Sequence, residues 1–229
     1  MIMEPILQAK KICKCFTRPT RVDVLKDVSL ELYPGQSVAI MGASGEGKST
    51  LLHILGTLEA PDSGDLLIAG ISAAHNPTPL LRNRHIGFIF QGYNLLENYT
   101  TIQNILMPAL ISGKPIHKGT PAYQRALELL GKVDLEDRAE FSTKLLSGGE
   151  KQRVAIARAL CNDPGIILAD EPSGNLDHQT SKMIHDLLLH CCKDLSKALI
   201  VVTHDRELAS LCDKTVQLCN GEIKCINPS

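Results

Sequence analysis

Gly42-Ala43-Ser44-Gly45-Glu46-Gly47-Lys48-Ser49 is the stretch that decides the fold, because it matches the pattern G-x-x-x-x-G-K-[ST] at every fixed position. The apolar run at 37–41 before it predicts a short strand, and apolar residues recur at helical spacing from Leu51 to Leu58 after it. A strand, a glycine-rich turn and a helix form the context in which this pattern binds phosphate. A chance glycine-rich turn is therefore the weaker alternative.

Each residue type in this stretch suits phosphate binding. Glycines let the backbone curl so that successive N–H groups face phosphate oxygens, and the following helix adds the positive end of its dipole. Lys48 is expected to reach the β- and γ-phosphates of a nucleotide, and the Ser49 hydroxyl to ligate Mg²⁺. The predicted phosphate-binding residues are Gly42, Ala43, Ser44, Gly45, Glu46, Gly47, Lys48, Ser49 and Thr50.

A second segment with functional residues, which carries two carboxylates, follows an apolar run at 166–169. The run predicts a strand that projects Asp170 and Glu171 from the carboxyl edge of a sheet, where open α/β folds bind nucleotides. We expect Asp170 to help hold Mg²⁺ and Glu171 to orient or deprotonate the water that attacks the γ-phosphate. Alone, this pattern is more often a strand that enters a polar loop. The phosphate-binding stretch makes it the second half of one site.

Strand and helix patterns alternate along most of the chain, which favours an α/β fold with a mostly parallel sheet. The predicted strands are 12–16, 28–32, 37–41, 66–68, 86–90, 166–169 and 199–203, and the predicted helices are 49–58, 122–130, 149–160 and 179–195. Residues 92–146 predict a helical insertion whose helical patterns are separated at Pro108, Gly113, Pro115, Gly119 and Pro121. We expect one domain over residues 1–229 that contains this insertion.

Composition argues against several classes of protein. The 24 basic and 25 acidic side chains give a net charge of −1, and aromatic residues make up only 3%, so nucleic acid is not an expected partner. Eight cysteines show no zinc-binding spacing and are expected to be reduced thiols. No apolar run approaches the roughly 20 residues of a membrane span, and the N-terminus lacks a signal-peptide pattern. We expect a cytoplasmic protein.

The stretch Leu146-Ser147-Gly148-Gly149-Glu150-Lys151-Gln152-Arg153 resembles the signature motif of ABC (ATP-binding-cassette) ATPases. In that family Ser147, Gly148 and Gly149 would bind the γ-phosphate of ATP held by a second copy. The resemblance therefore implies a homodimer of cassettes with two composite ATP sites. It also implies the cassette fold, with an antiparallel β subdomain and an inserted helical subdomain beside the parallel core. A simple Ser-Gly-Gly helix cap is the alternative interpretation.

Four further positions match family motifs, and their roles are implied by the resemblance alone. Gln91 would contact Mg²⁺ and sense the membrane partner, and Asp177, which ends the segment 173–177, would communicate between the two sites. His204 would lie near the γ-phosphate, although a lone histidine after a strand is usually a surface residue. Phe16 would stack on adenine, with a small core aromatic as the alternative.

Within this family, the segments 51–56 and 82–96 and the residue Glu150 resemble the branch that includes lipoprotein-releasing, macrolide-export and cell-division cassettes. The resemblance covers about residues 6–225. It implies transmembrane permease subunits as partners at the cytoplasmic face of the inner membrane, with lipoprotein release as the first expectation. Macrolide export and cell-division signalling stay open as alternatives. Departures from the branch pattern occur at Glu97, Gln103, Thr143, Leu145 and Ser173.

Overall fold

The computed structural model of the chain describes residues 3–17, 21–74 and 78–226. Its strands form two sheets. The first is antiparallel with the order β2-β1-β4-β5, and the second has the order β10-β9-β3-β8-β7-β6. The strands are β1 Leu7–Phe16, β2 Val22–Leu32, β3 Ser37–Met41, β4 Ser63–Ile68, β5 Ile71–Ser72, β6 Ile86–Ile89, β7 Ile166–Asp170, β8 Ala198–Val202, β9 Lys214–Cys219 and β10 Glu222–Ile226.

Strands β3, β6, β7, β8 and β9 are parallel, and only β10 pairs antiparallel to its neighbour β9. All five residues of β8 are buried, as a strand covered on both faces requires. Alternate residues face different hydrophobic clusters, so Ile166 and Leu168 pack on one side of the sheet while Ile167 and Ala169 pack on the other. The predicted α/β fold with a mostly parallel core and an antiparallel β sheet is confirmed.

Helices cover both faces of the parallel sheet. Helix α1 packs with the antiparallel sheet on one face, and helices α3 to α6 contribute to the cluster on the other. The helices are α1 Lys48–Leu55, α2 Thr78–His85, α3 Thr101–Ile111, α4 Pro121–Lys132, α5 Gly148–Leu160, α6 His178–Asp194 and α7 Arg206–Leu211, with short 3₁₀ helices at Glu136–Arg138 and Thr143–Leu145. Within the part of the chain that the structure describes, none of these helices is both long and apolar enough to cross a bilayer.

Helix α3 corrects the interpretation of Pro108 as a separator of helical segments. Thr100 and Gln103 form a capping box that starts the helix, and Pro108 lies inside it. The carbonyl oxygen of Pro108 accepts hydrogen bonds from Asn162 Nδ2 at 2.9 Å and Asn83 Nδ2 at 3.1 Å. These contacts from other segments support the last turn of α3 even though proline cannot donate to it. Gln103, a departure from the branch pattern, has a structural role as the second residue of the capping box.

Helix α1 is shorter than its apolar pattern predicts. It ends at Leu55 with Gly56 as the C-cap residue, and Leu58 lies outside the helix and is exposed. The ring of Phe88 fills the space beside Gly56, since a Cβ there would lie 1.8 Å from Phe88 Cζ. Packing against β6 therefore leaves room only for glycine at this boundary.

Helices α2, α3 and α7 were not predicted as separate elements. Helix α2 buries only Leu81, so its sequence carries no clear apolar face. Helix α7 has only six residues. The one feature of its sequence that indicates a helix start is Asp205, whose side chain caps the N–H groups of Glu207 and Leu208. Residues 92–146 contain helices and turns with a single isolated bridge, Thr100 to Ser142. Their status as a subdomain inside one domain stays a prediction.

Gly87→Ala should lower the free energy of unfolding by about 1–3 kcal/mol, because a Cβ on β6 would lie 2.3 Å from the backbone oxygen of Ala159 on α5. Urea denaturation followed by circular dichroism measures this change. Gly131→Ala is the control, since the nearest atom to its added Cβ is the flexible carboxylate of Glu136 at 3.1 Å. Equal stabilities for the two variants would contradict the proposed tight contact between β6 and α5.

Candidate active site

The order of the parallel strands brings three distant segments to one edge. Strand β8 lies between β3 and β7, and Ile40, Val202 and Asp170 occupy one row across the three strands. The row continues at the carboxyl edge, where the Glu171 N–H donates to Val202 O at 2.9 Å and the Thr203 N–H donates to Ile40 O at 3.2 Å. The loop after β3, the Asp170-Glu171 pair and the segment that follows β8 therefore meet there.

The loop between β3 and α1 has the backbone that its glycines predict. Gly45 and Gly47 adopt positive φ angles of 85° and 94°, and a Cβ on Gly47 would lie 2.5 Å from Val24 Cγ1. The Lys48 ammonium donates to the carbonyl oxygens of Gly42 and Ala43, both at 2.9 Å. Lys48 thus lies over the curled loop from the first turn of α1, where the positive end of the helix dipole also favours an anion.

Ser49 and Asp170 come together across the sheet edge. Ser49 Oγ donates to Asp170 Oδ1 at 3.1 Å, and burial raises the pKa of the Asp170 carboxyl above its ordinary value. Gln91 Nε2 donates to Asn175 Oδ1 at 3.4 Å, which leaves Oε1 as the free polar atom of that side chain. A hydroxyl, a carboxylate and an amide oxygen are hard donors of the kind that Mg²⁺ prefers, so these residues fit the ion.

Glu171 is held in an unusual backbone conformation beside His204. Its φ angle is 43°, in the left-handed region that non-glycine residues rarely adopt. Glu171 Oε1 lies 2.9 Å from His204 Nδ1, while Oε2 accepts from the His204 N–H and from Thr203 Oγ1, both at 3.4 Å. The Glu171 side chain is 17% exposed and that of His204 is 75% exposed. The carboxylate is therefore fixed inside the edge, and the imidazole remains accessible.

Most of these groups line one open cleft of about 430 Å³, although Asp170, the partner of Ser49, is not among its lining residues. The predicted site residues that line it are Ser44, Gly45, Gly47, Lys48, Ser49, Thr50, Gln91, Glu171 and His204. Glu46 points elsewhere, since its Oε2 accepts from the Asn220 N–H at 2.6 Å and ties the loop to the β9–β10 turn. Phe16 lies at the end of β1 with a side chain that is 41% exposed, and Lys14 Nζ is 5.6 Å from its ring centroid.

The signature residues line a different cavity, of about 710 Å³. Ser147 is the N-cap residue of α5, and its Oγ accepts from the Glu150 N–H at 3.3 Å. The Ser147 N–H is already used, because it donates to Glu150 Oε2 at 2.8 Å and thereby lowers the pKa of the Glu150 carboxyl. The donors left for an anion are the Ser147 hydroxyl and the N–H groups of Gly148 and Gly149, which have no acceptor within the helix.

Asp177 lines this second cavity as well and caps α6. Its carboxylate accepts from the Thr180 hydroxyl at 2.5 Å and from the Thr180 N–H at 3.0 Å, and these bonds lower its pKa. The predicted site residues thus form two groups in separate cavities of one chain. Lys48, Glu171 and His204 belong to the first group, and Ser147 and Asp177 belong to the second.

Two contacts of the site were not anticipated. Asn175 exchanges hydrogen bonds with Gln91, since its Nδ2 also donates to Gln91 O at 3.0 Å. The Arg158 guanidinium on α5 donates to Tyr93 O at 2.7 Å and to Asn94 O, and burial lowers its pKa to about 10. Tyr93 and Asn94 both have positive φ angles, so this cation stabilises a strained segment just after Gln91. No local signal in the sequence identifies either contact.

A phosphate-binding loop and a strand-borne Asp-Glu pair that meet at the carboxyl edge of a parallel sheet define a P-loop nucleoside triphosphatase. The family model described as ABC transporter matches residues 25–174, which is more than half of the chain. The chain therefore belongs to the ABC transporter family and is an ATP-binding ATPase, as its signature motif predicted.

Similar proteins agree with this assignment. The chain is 55% identical over 216 residues to the lipoprotein-releasing system ATP-binding protein LolD of Protochlamydia amoebophila (strain UWE25). This match covers 94% of this chain and 95% of that protein. The chain is 44% identical over 230 residues to LolD of Pseudomonas fluorescens, with 99% and 100% covered. The dimeric, post-hydrolysis structure of the ATP-binding cassette MJ0796 bound to ADP and Pi has a TM-score of 0.85 and 36% identity, and the match covers 97% of this chain and 100% of that one.

Lys48→Ala should weaken ATP binding at least about tenfold, because a charge-assisted hydrogen bond to phosphate contributes about 1.5–3 kcal/mol. We expect ATP turnover to fall about 10²–10³-fold, since the ammonium also opposes the charge that develops on the transferred phosphoryl group. Titration with a fluorescent ATP analogue and a phosphate-release assay measure the two effects. Lys144→Ala, which removes a half-exposed lysine next to Glu97, is the control. Unchanged kinetics for Lys48→Ala would remove this residue from the site.

Proposed function

We propose that this ATPase works as a homodimer of cassettes that powers membrane permease subunits for the release of lipoproteins from the inner membrane. The division of the predicted site residues between two cavities is the observation that supports a homodimer. Lys48 and Glu171 line one cavity, and Ser147, Gly148 and Gly149 line the other. A second copy in head-to-tail orientation brings the α5 N-terminus of one chain to the ATP of its partner, so that each site is complete.

Mg²⁺ is the cofactor that the edge residues would hold. Ser49 and Asp170 are its proposed ligands, with Gln91 Oε1 as the third protein donor. When bound, the ion supplies charge neutralisation to the phosphate oxygens. The protein's own contribution is to hold Ser49 Oγ against the Asp170 carboxylate at the edge of the sheet. Burial raises the pKa of Asp170, because the charged form loses hydration there.

Glu171 and His204 are the proposed catalytic pair. The Glu171 carboxylate would accept a proton from, or orient, the water that attacks the γ-phosphate, because it lines the cleft beside Lys48 and Ser49. The Glu171 carboxylate is fixed by the hydrogen bond that its Oε1 accepts from His204 Nδ1. The exposed imidazole is then available to the γ-phosphate. Phe16, exposed at the end of β1, would stack on the adenine ring.

A groove near Gln91 is the proposed docking surface for a permease subunit. It has a volume of about 320 Å³ and includes Phe88 and Phe90, whose rings stack at 5.2 Å, together with Ile111, which is 70% exposed. A groove lined by apolar side chains together with Arg and Asn side chains, beside a residue of the ATP cleft, suits a membrane subunit that must sense nucleotide. The cassette would then lie on the cytoplasmic face of the inner membrane. Lipoproteins are supported as the cargo by the two LolD relatives, which are 55% and 44% identical to this chain and are named for lipoprotein release.

Glu171→Gln should slow ATP turnover about 10²–10⁴-fold, because it removes the group that accepts the water proton while keeping the shape of the side chain. ATP binding persists, so we expect an ATP-bound dimer of twice the monomer mass in size-exclusion chromatography with light scattering. Adding Ser147→Arg to this variant should abolish the dimer, whereas adding Ser147→Thr, which keeps the hydroxyl, should retain it. A dimer that is indifferent to Ser147→Arg would exclude the composite site.

The cargo can be tested in liposomes. The chain, together with the membrane subunits that co-purify with it, is reconstituted with a fluorescent triacylated lipoprotein and a soluble acceptor for lipidated protein. We expect ATP to transfer the lipoprotein to the acceptor, and the complex with Glu171→Gln to fail. ATP-driven movement of an apolar drug without lipoprotein transfer would contradict the proposed cargo and favour a drug exporter.

A further inference from the structure

His185 on α6 is a buried histidine that the proposed hydrolysis chemistry does not use. Its side chain is 2% exposed, and its Nε2 atom forms a hydrogen bond of 2.6 Å with Ser173 Oγ. Burial lowers the pKa of His185, which favours the neutral imidazole. A buried polar group costs free energy unless it is hydrogen-bonded, so this bond favours one placement of Ser173 over the alternatives.

A second side chain on α6 holds the same residue. Ser181 Oγ is within hydrogen-bonding distance of Ser173 O at 3.4 Å and of Leu176 O at 3.5 Å. Ser181 and His185 are four positions apart and therefore lie on one face of the helix. One of them contacts the backbone of Ser173, and the other contacts its hydroxyl. Helix α6 thus fixes Ser173 at two points.

Ser173 lies inside the turn that begins at Glu171. The Gly174 N–H donates to Glu171 O at 3.0 Å and closes this turn. Glu171 has the left-handed φ angle of 43°, a conformation that costs about 1–3 kcal/mol and persists only when surrounding contacts impose it. Because Ser173 is the residue of the turn that α6 holds, its contacts help to impose the conformation of Glu171.

The same segment also contacts Gln91. A Cβ on Gly174 would lie 2.8 Å from Gln91 Nε2, and Asn175 exchanges two hydrogen bonds with Gln91. A shift of Ser173 would therefore move the neighbours of Gln91 as well as the turn of Glu171. Both side chains line the ATP cleft.

We propose that His185 is a positioning residue for ATP hydrolysis, which acts through Ser173 on the turn 171–174 and keeps Glu171 and Gln91 aimed into the cleft. The proposal rests on the hydrolytic roles proposed above for Glu171 and Gln91. It also gives Ser173, a departure from the branch pattern, a partner of its own. The hydrogen bonds of this pair join α6 to the turn 171–174 and none goes to the phosphate-binding loop, so we expect kcat to change more than the affinity for ATP.

The test compares two variants. His185→Leu replaces the imidazole with an apolar side chain of similar size, and His185→Gln places an amide nitrogen near the position of Nε2. We expect His185→Leu to lower kcat about 10-fold to 100-fold, as misplacement of a catalytic group does, with KM for ATP changed less than about twofold. His185→Gln should recover at least half of the lost activity on the logarithmic scale. Cys191→Ala, which truncates another buried side chain of α6, should stay near the wild-type kcat.

Ser173→Ala tests the pair from the other side and should lower kcat as His185→Leu does. The double variant Ser173→Ala/His185→Leu should be no slower than the slower single variant, because both changes remove one interaction. Wild-type kcat in His185→Leu or Ser173→Ala, additive losses in the double variant, or an equal loss in Cys191→Ala would each overturn the proposal. Glu171→Gln, measured in parallel, distinguishes a failure of the His185 proposal from a failure of the proposed function. Rapid turnover in Glu171→Gln would reject the proposed function itself.

Discussion

The parallel pairing of β8 with β3 on one side and with β7 on the other is the constraint on which the rest of the structure depends. This pairing aligns Ile40, Val202 and Asp170 in one row. The phosphate-binding loop, His204 and the Asp-Glu pair are far apart in sequence, and each extends a strand of this row by a few residues. Because the strands are packed on both faces, a register shift of one residue would move their side chains from one hydrophobic cluster to the other and disrupt the packing of both.

The edge of the sheet concentrates polar groups that would be costly elsewhere. Asp170 is half-buried at the end of β7, and its raised pKa reflects the loss of hydration. Ser49, Thr203 and His204 supply hydrogen bonds to the two carboxylates. The strained φ angle of Glu171 is held by the turn and by the bond to Val202. The site is therefore preorganised by the fold before any nucleotide contributes contacts.

In the proposed homodimer, the two cavities of each chain would act as complementary half-sites. The loop beneath Lys48 would offer the cation and backbone N–H groups to the phosphates, and the α5 N-terminus would offer a hydroxyl and the N–H groups of its first turn. Glu150 uses the Ser147 N–H and is itself paired with Arg138 at 3.4 Å, so its charge is partly compensated where an anion would approach. Helix α5 also holds Tyr93 and Asn94 through Arg158, which connects the signature helix to the segment after Gln91.

The sequence by itself determined the parts of this protein in which local backbone needs and residue chemistry coincide. The glycine spacing of 42–49, the carboxylates after β7 and the Ser-Gly-Gly start of α5 could each be identified because they depend on neighbours in the chain. Tertiary structure decided that residue 56 at the end of α1 has no room for a side chain, because Phe88 fills the space. It also decided the continuation of α3 through Pro108, where Asn83 and Asn162 supply bonds. The contacts of Gln91 with Asn175 and of Ser173 with His185 were equally invisible. Such contacts join segments through packing geometry, and no periodicity or motif records which side chains will face each other.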